Sequence, residues 1–339
     1  MIQGYLPDKK QFYCIKVNSA AMLNFTEIWR DVFRTMDFHN KKAGFVAEEE
    51  EVRATVLHFI DQDNPVKITP LDVRFVISQM PPQSVVIIID EFDRIQDEET
   101  ILSMVDTIKT LSDYAMRITL ILVAVADSIN NLIKEHSSLS RALVQIQLPR
   151  MSDQELTELV KKGMNKLDMT IDMGVKNKIV ALSRGLPHYT HLLSLEAVLG
   201  ALRGSRLDVE AADLDIAIKE ALAKTTESTL AAYHKAVNTP RGKLYHTILL
   251  GCALAHCDRR GFFSPGDVRQ ALKKYTGEDY ILPRFTRHLH EFDSSERGNV
   301  LTKEGEKNQY RYRFTDPMMQ PYITLEAINS GRISKNTAA

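Results

Sequence analysis

The sequence predicts an α/β fold: a three-layer core on a parallel sheet, then an all-α segment, then a small module of three helices and two strands. Three observations predict it. Val85-Val86-Ile87-Ile88-Ile89 is an unbroken β-branched apolar run, as expected of a strand covered by helices on both faces. Before residue 150, strand-like runs alternate with amphipathic helical ones, which is the pattern of parallel α/β units. From Ser152 to about Lys224 helical periodicity alone takes over.

Phe12 to Val17 reads as the first strand, ended by Asn18-Ser19. Phe25, Ile28, Trp29, Val32 and Phe33 follow at spacings of three and four, giving a helix with one apolar face. Glu48 to Glu51 is an acidic run expected on a solvated helix face or loop. Thr69-Pro70 marks a helix start, with Thr69 as N-cap and proline in the first turn. After the Val85 strand, Ile101, Met104, Val105, Ile108 and Leu111 mark another helix. Ile118 to Val125 is a second fully apolar strand, and Val144 to Leu148, closed by Pro149, a shorter third. Ser152 and Glu155 form a capping-box pattern, and helices then run to about Lys224, broken at Arg184-Gly185-Leu186-Pro187. From Pro240 the order is helix (Leu244 to His256), helix (Pro265 to Tyr275), helix (Pro283 to Phe292), then strands at Val300-Leu301 and Tyr310 to Phe314. Three helices and a two-stranded ribbon describe a winged helix.

A chain of 339 residues, 44% apolar and 26% charged, is a globular sequence long enough for two or three domains. No apolar run approaches a membrane span, and the first 20 residues lack a basic region followed by an apolar one; no membrane association is expected. Cys14, Cys252 and Cys257 lack the spacing of a disulfide framework, so a reducing cytoplasm is the expected location. Cys252, His256 and Cys257 have no second ligand pair that would make them a metal site. Charge is uneven: residues 240–339 hold 16 Lys/Arg against 11 Asp/Glu, leaving 27 against 33 for the rest.

Asp90 and Glu91 follow the buried strand directly. Ligands of open parallel sheets bind outside the carboxyl ends of the strands, so both acids are expected in a crevice suited to a nucleotide. An acid closing such a strand can hold Mg²⁺, and a neighbouring glutamate can orient and deprotonate water. The stretch Val85 to Ile95 resembles a Walker B element, and its Asp-Glu pair the AAA+ and STAND version of it.

Further elements in order extend that resemblance over most of the chain. Ile118 to Ser128 resembles a sensor 1 strand, with Asp127 or Ser128 where a polar side chain feels the terminal phosphate. Ser140-Arg141 resembles the arginine-finger box of initiator-type ATPases, which implies that Arg141 reaches a neighbouring subunit's nucleotide and that copies associate through its face. Gly185-Leu186-Pro187 resembles the GxP element of STAND proteins, which implies nucleotide sensing by Gly185 and Pro187 from a helical lid. The chain is therefore similar to P-loop ATPases of the AAA+/STAND group, near the initiator and origin-recognition branch. The resemblance implies ATP and Mg²⁺ as cofactors, Asp90 as metal ligand and Glu91 as catalytic residue. The expected organisation is an N-terminally incomplete ATPase core over 1–150, a lid over 151–239, a winged helix over 240–328 and a flexible tail over 329–339.

One family element is missing. No Gly-rich loop ending in Gly-Lys-Ser/Thr occurs, and Arg241-Gly242-Lys243-Leu244 lacks the earlier glycine, the hydroxyl and a preceding buried strand. That loop cradles the phosphates, so weak or no ATP binding by this chain is expected. A shortened chain is the first explanation and genuine loss of nucleotide binding the runner-up.

In a winged helix the third helix enters the major groove and the wing touches the backbone. Here the third helix carries Arg284, Arg287, His288 and His290, and the wing Lys303, Lys307, Arg311 and Arg313. Double-stranded DNA or a protein partner are the candidate ligands of this module, with Arg284, Arg287, Lys303 and Arg311 as its DNA-contacting residues. Glu291, Asp293, Glu296, Glu304 and Glu306 are interleaved with them. Two functions stay open: an ATP-driven switch read out by the winged helix, and a non-catalytic DNA-binding or scaffold protein on a degenerate ATPase core.

Overall fold

The structure is a computed structural model, and it describes residues 12–19, 24–43, 58–59, 66–79, 84–124, 141–238, 242–306 and 309–334. The chain divides into two compact units, 1–147 and 148–339. Glu48 to Glu51, Asp127, Ser128, Ser140 and Lys307 lie outside the described residues.

The first unit is parallel α/β. Its described elements are β1 (Phe12–Asn18), α1 (Phe25–Ala43), α2 (Pro70–Ser78), β2 (Ser84–Asp90), α3 (Glu98–Asp113) and β3 (Ile118–Leu122). The three strands form one parallel sheet in the order β1-β2-β3, with Asn18 paired to Asp90 and Ile89 to Leu122. Side chains alternate across a strand, so Val85, Ile87 and Ile89 point to one face and Val86 and Ile88 to the other; all five are buried. Full burial of each such side chain contributes about 1.5–3 kcal/mol, which is why the β-branched run takes the middle of the sheet. Phe25, Ile28, Trp29, Val32 and Phe33 of α1 and Met104, Val105, Ile108 and Leu111 of α3 complete the core that Val85, Ile87 and Ile89 enter. Thr69 caps α2 in a capping box with Asp72, and Pro70 fills the first turn, as the sequence predicts.

Two strand expectations need correction. β3 ends at Leu122 and its side chains are only partly buried, because among the described residues it pairs with β2 alone. Residues 144–148 form no strand: Val144, Ile146 and Leu148 are 88%, 79% and 90% exposed. Alternating apolar residues make a strand only where a neighbour accepts their backbone groups, and no described strand lies beside them.

The second unit contains α4 (Asp153–Lys166), β4 (Thr170–Ile171), α5 (Met173–Leu182), α6 (Pro187–Arg203), β5 (Asp208–Val209), α7 (Ala211–Ala223) and α8 (Glu227–Val237). It continues with α9 (Gly242–Leu254), α10 (Pro265–Thr276), α11 (Leu282–Phe292), β6 (Leu301–Glu304), β7 (Arg311–Phe314) and α12 (Met319–Asn329). Ser152 caps α4 through the capping box with Glu155, and Ser264 caps α10 in the same way with Asp267. β6 and β7 pair antiparallel, and Phe263 bridges to Tyr312 beside them.

The sequence reading missed α12, whose Pro321 discourages a helix prediction. Proline is tolerated there because it sits in the first turn, where its missing N–H has no partner to lose. Met319, Tyr322, Ile323, Leu325 and Ala327 of α12 are buried in one apolar core that also takes side chains from α5, α6, α7, α9 and α11. That core runs continuously from Val160 to Ile333. Polar contacts join the same pieces: Tyr189 Oη donates to Met318 O at 3.1 Å, Thr229 Oγ1 to Asp316 Oδ2 at 3.0 Å, and Gln320 Nε2 to Ala253 O at 3.0 Å.

The α9–α10 contact is close enough to test. A Cβ on Gly251 would lie 2.7 Å from Cγ and Cδ2 of the buried Leu272. Overpacking of this kind costs about 1–3 kcal/mol and exceeds the roughly 1 kcal/mol that alanine gains over glycine in a helix. Gly251→Ala should therefore lower the urea midpoint of the second unit with its m-value unchanged.

Candidate functional site

Asp90 is the first polar residue after the run Val85 to Ile89, every position of which is buried. Its pairing partner Asn18 shares its sheet face, and the two-residue period puts Lys16 of β1 on that face too. Lys16 Nζ sits 2.7 Å from Asp90 Oδ2. Asp90 Oδ1 accepts the Glu91 N–H at 3.0 Å, and the Asp90 carbonyl accepts the buried Ser19 hydroxyl at 2.7 Å. The Lys16 ammonium, assisted by the Glu91 N–H, holds the Asp90 carboxyl below the usual carboxylate range although partial burial pushes the other way.

Glu91 stands at φ 57°, ψ 36°, a left-handed conformation unusual for a residue with a side chain. The turn is imposed from both sides. Val123 N donates to Ile89 O at 2.9 Å and Phe92 N to Val123 O at 2.9 Å, while Phe92 returns to the core. The Glu91 carboxylate is left at the rim, 3.7 Å from Arg94 Nε. The structure thus brings Asp90 and Glu91 together at the carboxyl end of the central strand. Arg141, in the same unit, is exposed, and among the described residues no hydrogen bond or ion pair joins it to either acid.

Mg²⁺ prefers octahedral oxygen ligands at about 2.0–2.1 Å and usually takes one or two carboxylates together with water and phosphate. Asp90 offers one carboxylate whose oxygens both already accept, one of them from an ammonium. The arrangement does not fit the ion while Lys16 stays in place. Among the described residues no group of three or more His, Cys, Asp or Glu could hold a metal.

Gly185 and Pro187 lie in the second unit, the glycine between α5 and α6 and the proline at the start of α6. Arg184 and Gly185 are left-handed at φ 51° and 79°, and Pro187 opens α6. A Cβ on Gly185 would fall 2.8 Å from Arg150 Cβ and 3.0 Å from Met151 O, so the close approach requires glycine. Arg150 is the residue around which this turn is packed. Its Nη1 donates to Arg184 O at 3.1 Å and to Gln320 Oε1 at 2.6 Å, and its own N–H to Arg259 O at 2.8 Å. Burial lowers the pKa of the Arg150 guanidinium, with Cys257 and Asp258 opposing.

The four residues expected to contact DNA are all described, and each has a partner. Arg287 Nε lies 2.7 Å from Glu291 Oε1, which sits four residues on along α11. Lys303 Nζ is 3.7 Å from Asp293 Oδ2 and 4.9 Å from the Tyr310 ring centre. Arg311 reaches Asp258 at 3.4 Å and Glu304 at 3.9 Å. Arg284 lies over the Tyr280 ring at 4.7 Å. The ion pairs of Arg287, Lys303 and Arg311 are weak, about 0–1 kcal/mol each, so phosphate oxygens can compete for the same cationic groups. Tyr312 and Phe314 are buried, which makes them core side chains.

Lys16, Ser19 and Arg150 escaped the sequence reading. Nothing local marks them: Lys16 meets Asp90 only through strand register, and Arg150 meets Gln320 only through the tertiary fold. The Lys16–Asp90 pair also has a pH consequence. A carboxyl depressed in the folded state stabilises the protein above its ordinary range near pH 4 and loses that contribution as pH falls through its lowered value. The wild-type protein should therefore be more stable than Asp90→Asn by less than about 1 kcal/mol near pH 6, the gap closing toward pH 3 in thermal melts.

No family model and no curated protein matches the sequence. Among solved structures the chain is similar to Cdc6p from Pyrobaculum aerophilum, with 12% identity, 96% of this chain and 81% of that chain covered, and a TM-score of 0.44. It is also similar to the Aeropyrum pernix ORC2 protein, with 13% identity, 97% and 78% covered, and a TM-score of 0.47. The Thermotoga maritima RuvB Holliday junction branch migration motor gives 10% identity, 90% and 85% covered, and a TM-score of 0.42.

Proposed function

We propose that the chain is a nucleotide-linked switch of the AAA+/STAND type, with ATP as its ligand and DNA or a partner protein as its output. The observation that carries the reading is the acid pair Asp90-Glu91, set by a strained turn at the carboxyl end of a central parallel strand buried on both faces. In this reading Glu91 orients and deprotonates the attacking water, and Arg141 reaches the nucleotide of a neighbouring copy. Asp127 or Ser128 and the Gly185-Leu186-Pro187 turn respond to the state of the nucleotide. Residues 240–328 act as a winged helix that presents Arg284, Arg287, Lys303 and Arg311 to double-stranded DNA or to the partner.

The test is ATP binding and turnover by the protein and by Glu91→Gln. The variant should retain ATP while turnover falls by about 10²–10⁴-fold, the usual weight of a general base. Equal turnover would take Glu91 out of its role, and failure of the unaltered protein to bind ATP would remove the nucleotide reading.

A second reading, a non-catalytic DNA-binding or scaffold protein, is favoured by two observations: the 339 residues contain no Gly-rich loop ending in Gly-Lys-Ser/Thr, and Asp90 is already neutralised by Lys16. It predicts ATP-independent binding to duplex DNA that weakens steeply with salt. Changing Arg284 and Arg287 together to alanine should lower the slope of log K against log salt by about 2. Binding that ignores salt, or that the double variant leaves unchanged, would exclude it.

A further inference from the structure

We propose that His246 fastens residues 330–334 to the second unit through Arg332 while its ring is neutral and lets Arg332 go once the ring is protonated, so that this segment answers to pH. Four elements meet at the ring. His246 stands on α9, Tyr233 and His234 on α8, Glu326 on α12 with Arg332 just after it, and Tyr275 of α10 shares with His246 the wall of a cavity.

Arg332 Nη1 stands 3.2 Å from His246 Nδ1. A guanidinium has donors and no acceptor, so Nδ1 must offer its lone pair and the neutral ring carries its proton on Nε2. Tyr233 Oη lies 3.2 Å from the same Nδ1 and donates to Glu326 Oε2 at 3.2 Å. A proton on Nδ1 therefore exchanges one partner for the other. The new N–H has nothing to donate to on Arg332, whereas the Tyr233 oxygen can accept it, with the Glu326 carboxylate beyond to balance the charge. Arg332 Nη1 is then left without its acceptor, beside a like charge. Glu326 is shared as well: its two oxygens take Arg332 Nη2 at 2.7 and 2.8 Å, so a charged ring competes with Arg332 for the carboxylate. What the contact holds is the turn after α12, where Arg332 N and Ile333 N both donate to Ala327 O at 2.9 and 3.2 Å. A cavity of about 330 Å³ lined by His246, Thr247, Tyr275 and Arg332 adjoins the pair, giving the displaced guanidinium room and water a route to the ring. Burial holds the His246 ring below its ordinary value of 6.5, with Arg332 and His234 acting the same way and Glu326 against them. A base lowered in the folded state contributes stability above 6.5 and loses it as pH falls through the lowered value, so the fastening fails on the acid side.

The test needs neither nucleotide nor DNA. Hydrogen–deuterium exchange of the full chain is read by mass spectrometry on peptides covering 327–334 at about pH 7.5 and about pH 5.5, corrected for the intrinsic effect of pH on exchange. In the wild-type protein the protection of 327–334 should fall by roughly fivefold at the lower pH while the interior of α9 keeps its own. His246→Gln, whose side-chain oxygen can accept from Arg332 at either pH, should stay protected at both. His246→Lys, a fixed cation, should show the low protection at both, and His234→Gln should behave as the wild type. Circular dichroism melts check that each variant is folded, and His246→Gln decides alone should His246→Lys not fold. Unchanged protection in the wild type would overturn the proposal, as would the same drop in His246→Gln, an equal loss across α9, or a drop abolished by His234→Gln.

Discussion

The first unit depends on one constraint: β2 is buried on both faces from Val85 to Ile89, so no polar side chain follows within that run until the strand's last residue, Asp90. The strand is apolar from Val85 to Ile89 and turns polar at Asp90. The backbone must then bend while keeping its hydrogen bonds to Val123, and that bend puts Glu91 into a left-handed conformation. Backbone strain of this kind persists only where the surroundings enforce it, here the buried Phe92 on one side and the parallel ladder on the other. The same constraint places Lys16. Its neighbours Ile15 and Val17 point into the core, so Lys16 must point to the opposite face, where the register brings it to Asp90.

The second unit is held together differently. Helix α12 lies in the middle of its core, and the segments before and after Pro240 pack against it alike. Arg150 ties the start of this unit to the turn at Gly185 and, through Gln320, to the first turn of α12. A guanidinium serves well here because its donors fan out in one plane toward several carbonyl oxygens at once. The cost is close backbone packing: a Cβ on Gly261 would sit 2.7 Å from Arg150 Nη2, and one on Gly185 2.8 Å from its Cβ. The turn at Gly185 therefore has a structural reason for its glycine, independent of any nucleotide.

Four basic side chains of the last hundred residues are engaged locally. Arg287, Lys303 and Arg311 each face a carboxylate of the same unit, and Arg284 lies on a tyrosine. Among the described residues of α11 and the ribbon, these four basic side chains are thus held in local contacts. Contact with a polyanion at this surface requires exchange of those pairs, which makes it sensitive to salt.

By itself the sequence determined the local features. The β-branched run from Val85, the helical spacing of Phe25 to Phe33, the caps at Thr69 and Ser152, the turn at Gly185 and the acid pair at 90–91 are all written in neighbouring residues, because propensity, capping and periodicity act over a few positions. Only the tertiary structure decided what depends on distant partners. Residues 144–148 have a strand's alternation and lack a described strand beside them, whereas the Pro321 helix has a poor local signal and is kept by its burial on every side. The state of the candidate site belongs to this second class. Asp90 was legible as an acid at a strand end, but Lys16, 74 positions earlier, reaches it only through the register of two parallel strands, a relation set by packing between chain segments and carried by no local pattern.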